Sequence, residues 1–554
     1  MAFRKVGIGI LYLGMCIGFS AYGQTIPGSA DPSRVDPFKD KLKTQIPAKA
    51  VHIPKIDSKG KFPDTAHKIK FTLNKLNIKG VTAFSEEELL SLYREHKGKE
   101  VSLGVIWEIA ANITKHYQNE GYFLSRAYVP KQTIKNNSVT IKVAEGYVKD
   151  VELEESLEKE LFVKRLINRL VVNKPLKVGQ LESFMLQINS LPGRGYEAVL
   201  KAIDNGAVKL VLKPIEEKNK TSVTIDNYGS RFSGPFQGTL TYRDSFLPLQ
   251  QTTLSALATI PSDEMKYLAF SHEVNFYPDW KVGLSGSYVD SKPGYTLSSS
   301  NIRSDSAAIG IDLSWQPIRQ RQKNLVVLFG IEGKNVNGDI LVNSPLTRDR
   351  IRKSKIGIAY DVSDSFSGYN YASAELHHGL EILGASEFGD ANLSRSEVQP
   401  DFSKIEFNYS RIQGLPHSFT AIGRVSGQIS AEPLYSSEEF GYGGQSFGHA
   451  YDSSEITGDS GIAGSLELRY NGIKQWQGIS LYPYMFYDIG KVWNEDTAGL
   501  RQSAASSGTG LIIRHKSGLN ANLGIAFPLT KSVITPIDGH GKSPRVLFSL
   551  SHSF

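Results

Sequence analysis

The side chains of this chain that could do chemistry are few, and most of them sit together. Gly441-Tyr442-Gly443-Gly444-Gln445-Ser446-Phe447-Gly448-His449-Ala450-Tyr451-Asp452 forms the centre of the longest connection, 429–461. A loop of this length with several glycines is either functional or disordered, and glycine lets its backbone approach another surface closely. Its one imidazole is His449. A second group, His377-His378 beside Glu375, suggests catalytic parts, but the spacing fits no hydrolase motif and adjacent strand residues face opposite ways. It reads as an exposed, solvated histidine pair. Cys16 is the only cysteine, and it lies in a segment expected to be removed. No thiolate nucleophile, disulfide scaffold or thiolate metal site follows, and no catalytic residue, cofactor or metal is expected.

The two ends of the chain set the compartment. Arg4 and Lys5 precede an apolar stretch, Val6 to Ser20, too short to span a membrane comfortably, and Ala21-Tyr22-Gly23 supplies small residues before Gln24. This is a signal peptide, 1–23. A lipoprotein signal built on Cys16 is the competing reading, and bulky Met15 argues against it. At the other end, Val546, Phe548, Leu550, His552 and Phe554 fall on one face of a strand, with Leu547, Ser549, Ser551 and Ser553 on the other. Bacterial outer-membrane barrels end in this way, with Phe554 as the C-terminal assembly signal. The mean hydropathy is only −0.25, and no apolar run after the signal reaches the length of a spanning helix. A chain of this kind crosses a bilayer only as a closed barrel. The net charge of +7, two of it in Arg4 and Lys5, is too slight over this length to argue for nucleic acid.

Between the ends the pattern changes twice. Residues 24–69 are rich in Pro, Lys, Asp and Ser and cannot build a core; Asp31 to Leu42 could form a short helix, and the rest reads as linker. From 70 to 146 a β-α-α-β-β order emerges. It comprises a strand over Phe71 to Ile78, a capping box at Ser85-Glu86-Glu87-Glu88, an apolar helix stripe of Leu103, Ile106, Ala110, Ile113 and Tyr117, and strands over Tyr122 to Val129 and Val139 to Ala144. The order repeats over 147–217, with a strand at Tyr147 to Leu153, a helix at Lys159 to Leu170, a second helix carrying Leu181, Phe184, Met185, Ile188 and Leu191, and strands at 195–203 and 207–212. Both stripes read first as ordinary core packing.

From 218 to 554 no helical period appears. Alternating segments such as Ile356, Ile358, Tyr360 and Val362, or Leu519, Ala521, Leu523, Ile525 and Phe527, confine charged and amide side chains to one face. About sixteen strands of about ten residues follow one another. A soluble sandwich would put the polar face outside and a membrane barrel would turn it to the lumen; signal, aromatic strand ends and terminal strand favour the barrel. The fold class is thus two α+β domains followed by a sixteen-stranded antiparallel transmembrane β-barrel.

The whole arrangement resembles the outer-membrane transporters of two-partner secretion, the FhaC/ShlB/HecB type. Lys97-Gly98-Lys99, Tyr117, Gly121-Tyr122, Arg126-Ala127, Pro130-Lys131-Gln132 and Val143-Ala144-Glu145-Gly146 look like landmarks of the polypeptide-transport-associated (POTRA) domain of that family. The resemblance implies an N-terminal plug and linker, two periplasmic POTRA domains, and a barrel whose sixth extracellular loop folds back into the pore. The family's loop motif runs Gly-Gly, two residues, a small residue, then Val-Arg-Gly-Tyr/Phe. Gly443, Gly444 and Tyr451 match, while Phe447 and Gly448 depart, His449 stands for the arginine and Ala450 for the following glycine. Family arginines at this place are held by the aspartate of a Phe-x-Asp strand motif, here Phe486-Tyr487-Asp488, with Phe486 and Asp488 turned inward. Histidine offers one or two donors and a pH-dependent charge in place of a permanent bidentate fork. The expected loop is therefore anchored less firmly than in arginine-bearing relatives, and more firmly in acid; alternatively neutral His449 simply hydrogen-bonds Asp488 or loop backbone.

The resemblance further implies translocation of one partner exoprotein, adhesin- or haemolysin-like, through the outer membrane. Its other partners would be outer-membrane lipid and, during biogenesis, the barrel-assembly machinery. Extended substrate would add to the POTRA strand edge Tyr122-Phe123-Leu124-Ser125-Arg126-Ala127-Tyr128-Val129, unless the neighbouring domain already covers that edge. An insertase that assembles other barrels is the alternative, but such proteins usually carry more POTRA repeats than the two that fit before residue 220.

Overall fold

The computed structural model describes residues 26–34, 67–134, 136–215, 220–341, 344–496, 498–537 and 539–554. The signal segment, and the part of the expected 31–42 helix beyond Arg34, lie outside the described residues. Pro32–Arg34 itself forms a single 3-10 turn.

Residues 70–146 form the first α+β domain. The strand expected over Phe71 to Ile78 is two strands, Lys70–Thr72 and Lys75–Lys79. The break falls at Leu73, which is fully buried and whose N–H and C=O bond to Lys99 O and Gly98 N instead of a strand partner. Lys70–Thr72 pairs with an unexpected short strand, Glu100–Ser102. The helix Glu86–Leu90 starts on the expected capping box, Ser85 with Glu88, and Leu103–Asn119 buries Ile106, Ile109, Ile113 and Tyr117. That face packs on a three-stranded sheet in which Ser138–Ala144 is central, parallel to Lys75–Lys79 and antiparallel to Arg126–Tyr128.

The second domain repeats the plan. Ala207–Ile215 lies between Tyr147–Glu152 and Gly195–Asp204, and the helices Leu161–Val171 and Val178–Ile188 cover one face. It docks under the barrel through the turn after Tyr277. Arg169 and Gln187 both bond the Asp279 carboxylate, at 2.7 and 2.8 Å, and Arg165 stacks on the Tyr277 ring.

Sixteen antiparallel strands from Thr221–Asp226 to Arg545–Ser553 close into a barrel. The outward residues are apolar, as in Ile309 (62 % exposed), Ile311, Ile331 and Leu466, which is what a lipid-facing wall requires. Three neighbouring strands, Arg303–Arg319, Lys323–Ile340 and Ser344–Ser363, run well past the expected ten residues. Their extra length is polar and stands above the apolar belt, where water, not lipid, is the solvent. The seam between last and first strands is short: Ser549 to Ser553 pair with Asp226 to Ser222, extended by Phe554 N–H donating to Thr221 O at 2.9 Å. Val546, Leu550 and Phe554 face outward, and Leu547 is buried inside.

One contact explains two of the first domain's landmark residues. Glu145 accepts from Thr82 N (2.7 Å), Ala83 N (2.9 Å) and the Tyr117 hydroxyl (2.7 Å). Burial raises its pKa, and these hydrogen bonds, with that of the Thr82 hydroxyl, outweigh burial and hold it below the ordinary carboxylate value. A depressed folded-state pKa contributes stability that is present above about pH 4.5 and lost as pH falls through the lower folded value. We expect Glu145→Gln to loosen the 80–88 segment by about 2 kcal/mol, or about 30-fold in amide exchange. Hydrogen exchange of the full chain should show this difference at neutral pH and show it vanishing in acid.

Candidate functional site: a loop laid across the barrel lumen

The connection 431–459 does not extend into the medium. Its arms Phe440–Tyr442 and Ile456–Gly458 pair as a small hairpin that lies flat on the inner wall. Tyr442, fully buried, fits there because Gly490 of the strand Ile479–Trp493 has no side chain; a Cβ at Gly490 would stand 2.2 Å from the Tyr442 ring. Gly443 has φ +126, and a Cβ there would meet Asp452 O at 2.0 Å. Only glycine makes this turn without strain. The tip is then closed by Gly444 N–H to Tyr451 O (3.1 Å) and Tyr451 N–H to Gly448 O (2.8 Å).

The tip residues reach the wall one by one. His449 Nδ1 lies 2.7 Å from Asp488 Oδ2, and its backbone N–H donates to the same oxygen at 3.1 Å, as does the Ser506 hydroxyl at 3.1 Å. Asp488 is fully buried, and its Oδ1 makes no hydrogen bond. A guanidinium fork would reach both oxygens; the imidazole reaches one. The His449 ring also rests on Phe486, with centroids 4.4 Å apart. Ala450 is buried among Tyr442, Ile456, Ala504, Ala526 and Leu547, and the Tyr451 hydroxyl donates to Ala505 O and Lys531 O. The structure thus gathers Gly443, Gly444, His449, Ala450, Tyr451, Phe486 and Asp488 into one cluster.

Sequence reasoning missed the charges that flank this cluster. Glu438, just before the hairpin, is buried against three lysines of the wall, with Lys353 at 2.8 Å, Lys404 at 3.0 Å and Lys334 at 3.3 Å. Glu439 meets Arg34 at 2.8 Å and Arg395 at 3.2 Å. On the far side of the tip, Arg231 pairs with Asp452 and Glu455, both at 2.7 Å. Arg545, at the head of the last strand, reaches Tyr451 O at 2.7 Å, Asp452 at 3.1 Å and Gly229 O at 3.1 Å. The loop therefore bridges the last strands, the first extracellular loop and the N-terminal segment. That segment lies inside the barrel: the Ser230 hydroxyl bonds Ser29 O, and a Cβ on Gly28 would collide with Thr457. Arg395 joins Asp459, Asp496 and Glu439; burial works against its charge, and these carboxylates outweigh burial and hold it protonated more firmly than usual. Nothing in a polar linker marks Arg34, and nothing in an alternating strand marks Lys353, so no local sequence signal identified them.

Two expectations are corrected. The strand expected over Tyr122 to Val129 is only Arg126–Tyr128. Tyr122, Phe123, Leu124 and Ser125 form a turn of the first domain that packs against the second, with Leu124 in the second domain's core and the Ser125 hydroxyl accepting from Gly146 N at 2.9 Å. The outer edge of the remaining strand is already used, because Ala127 N–H donates to the Thr114 hydroxyl at 2.9 Å. The histidine pair is not solvated on both sides either. His377 faces inward and is 7 % exposed, 3.9 Å from Glu375, while His378 points out and bonds Ser403. Inward strand positions are covered here because the loop fills the lumen. Among the described residues no His, Cys, Asp and Glu are grouped so as to hold a metal ion.

A closed sixteen-stranded barrel preceded by two such α+β domains, its lumen crossed by a returning loop, is the architecture of an outer-membrane protein-transport channel. The chain belongs to the haemolysin secretion/activation protein ShlB/FhaC/HecB family, whose model matches residues 206–513; the ShlB-type POTRA domain matches 71–146. It is a transporter of two-partner secretion that acts with a secreted exoprotein, its POTRA domains in the periplasm. Among its relatives is the heme/hemopexin transporter protein HuxB of Haemophilus influenzae (strain 86-028NP), 26% identical over 493 residues and covering 85% of each chain. The outer membrane transporter CdiB of Dickeya dadantii (strain 3937) is 22% identical over 426 residues, 74% of this chain and 73% of its own. Of solved structures, CdiB from Escherichia coli superposes with a TM-score of 0.68 at 17% identity, over 91% of this chain and 93% of its own. BamA from Haemophilus ducreyi lacking POTRA domains 1–3 gives 0.51 at 15%, over 87% of this chain and all of the other, a likeness of fold.

Two outcomes test the loop's attachment. Glu438→Ala leaves three buried ammonium groups without their shared carboxylate, a loss of about 3 kcal/mol of docking, and should raise the frequency of open events in planar-bilayer recordings. His449 engages one oxygen of Asp488, where a guanidinium fork would engage both. His449→Arg should therefore open less often than the parent in the same recordings.

Proposed function

We propose that the channel carries an adhesin- or haemolysin-like exoprotein from periplasm to cell surface in an extended form, and that the loop 431–459 together with the 26–34 segment acts as its stopper. One observation supports this reading above the others: only a small apolar cluster holds the loop's tip, and along the rest of its length it is held by ion pairs and hydrogen bonds whose partners water and substrate backbone can take over. An apolar plug of the same size would not release so readily. We read the barrel as a conduit and not an enzyme. Folding of the emerging chain outside supplies the drive, since a folded exoprotein cannot slide back.

Entry of substrate is proposed at the second POTRA domain. Its strand Gly195–Asp204 pairs on one side only. Tyr196 turns its N–H and C=O outward to the Asn189 side chain, so with period two the backbone of Ala198, Leu200 and Ala202 also points off the edge. An extended peptide pairs with such an edge with little demand on its sequence. Outer-membrane lipid surrounds the wall, and the Phe554 strand is the part offered to the barrel-assembly machinery during biogenesis.

The deciding experiment is genetic. Deleting the gene should trap its partner exoprotein in the periplasm, while the general content of outer-membrane barrels is unchanged; a general loss of barrels would instead indicate an insertase. Ala198→Pro and Ala202→Pro each remove an outward N–H without touching the ladder of odd-numbered residues. Each should lower secretion several-fold with the barrel folded normally, and secretion at the parent level from both would reject entry at this edge.

A further inference from the structure

On the strand Ser344–Ser363 the inward side chains Asp349, Ile351 and Lys353 are buried. The alternate residues, Arg348, Arg350 and Arg352, therefore face out of the barrel in a row, about 7 Å apart. Directly below them on the same face come Ser354 and then Ile356 and Ile358, which are 47 % and 49 % exposed. The arginines thus stand at the upper rim of the apolar belt, on the extracellular side, where lipid headgroups lie.

They are not equally engaged. Arg348 is paired with Asp339 and bonded to Gly338 O. Arg352 reaches Asn335 Oδ1 at 3.0 Å and main-chain oxygens, and Arg350 reaches only Asp349 O; neither is within ion-pair distance of a carboxylate among the described residues. The acids at the same level on neighbouring strands are already held, Asp339 by Arg348 and Asp305 by Asn337. Beside Arg352 the wall is hollow. Gly333, opposite it in register, has no side chain and lets the Arg352 side chain lie across it, and a groove of about 920 Å³ runs down between Ile309, Ile331, Phe329 and the overhanging Leu383. Leu383, 82 % exposed, belongs to the loop whose Leu380 N–H bonds Arg352 O.

We propose that this groove and its arginine rim form a binding site for a phosphorylated glycolipid of the outer leaflet. One acyl chain lies along Ile309, Ile331 and Leu383, and headgroup phosphates are taken by Arg350 and Arg352. The guanidinium fork matches phosphate oxygens in pairs, and the position at the rim of the belt places headgroup and acyl chain at the two ends of one groove. Bound there, the lipid would tie the extracellular ends of the three longest strands to the loop that carries Leu383.

The full-length chain in mild detergent, titrated with deep-rough lipopolysaccharide and read by native mass spectrometry, tests this. Two arginines at a lipid surface contribute about 30-fold in affinity. The parent should therefore retain the glycolipid about 30-fold more tightly than Arg350→Gln/Arg352→Gln, and Arg348→Gln should differ little. Leu383→Asn, which removes one wall of the groove and leaves the arginines in place, should also weaken retention and serves if the double variant does not fold. Dephosphorylated glycolipid and phosphatidylcholine should bind alike and weakly, and millimolar inorganic phosphate should not compete. Equal retention by parent and both variants, loss of phosphate without loss of affinity, or full competition by inorganic phosphate would each overturn the proposal.

Discussion

The account rests on how charge is managed inside the barrel. A wall whose lumen face carries Lys334, Lys353, Lys404, Asp488 and Arg545 cannot be filled by an apolar plug, because each unpaired charge taken out of water costs several kcal/mol. It can be filled by a segment that brings an opposite charge or a hydrogen-bonding group to each place. The loop does so in order along its length, with Glu438 to the lysines, Glu439 to Arg34 and Arg395, His449 to Asp488, and Asp452 to Arg231 and Arg545. Complementarity of this kind fixes one position of the loop without making it permanent, since a moving substrate and entering water can take over the same partners.

The same interactions connect distant parts of the chain. Arg545 joins the last strand to loop residues Tyr451 and Asp452 and to the main chain at Asn227 and Gly229. The shortest junction of the barrel is thus buttressed by the loop itself. Arg34 ties the N-terminal segment to Glu439 in the same way. Withdrawal of the loop would release both, so loop, N-terminal segment and seam are linked by the same handful of ion pairs and hydrogen bonds.

How much of this was legible in the sequence depends on the range of the signal. The capping box at Ser85 and Glu88, the repeated β-α-α-β-β order and the outward row ending in Phe554 are local patterns, and each describes a local structure. The strand over Phe71 to Ile78 is broken because Leu73 bonds to Lys99 and Gly98, residues twenty-six and twenty-five positions away, and no window around Leu73 contains that information. Tyr122 to Ser125 alternate like a strand, yet Leu124 is claimed by the core of the next domain. The pairing of His449 with Asp488 was legible only through the family resemblance; their proximity depends on Gly490 and Gly443 letting a whole hairpin lie against the wall. Glu438 with its three lysines was not legible, because the partners come from three strands and the charges alternate with apolar residues exactly as any lumen-facing residues do.

The claim that this loop stops the pore and must leave for transport has a direct test. The single native cysteine, Cys16, lies in the segment expected to be cleaved, so Tyr442→Cys with Gly490→Cys places two new thiols where ring and wall now touch, a Cβ at 490 standing 2.6 Å from Tyr442 Cγ. The measurement is secretion of the partner exoprotein by cells carrying this pair, before and after reduction. The account predicts that the oxidised pair blocks secretion and that a reductant restores it, with Tyr442→Cys alone unaffected. Undiminished secretion through barrels shown to carry the closed disulfide would contradict it.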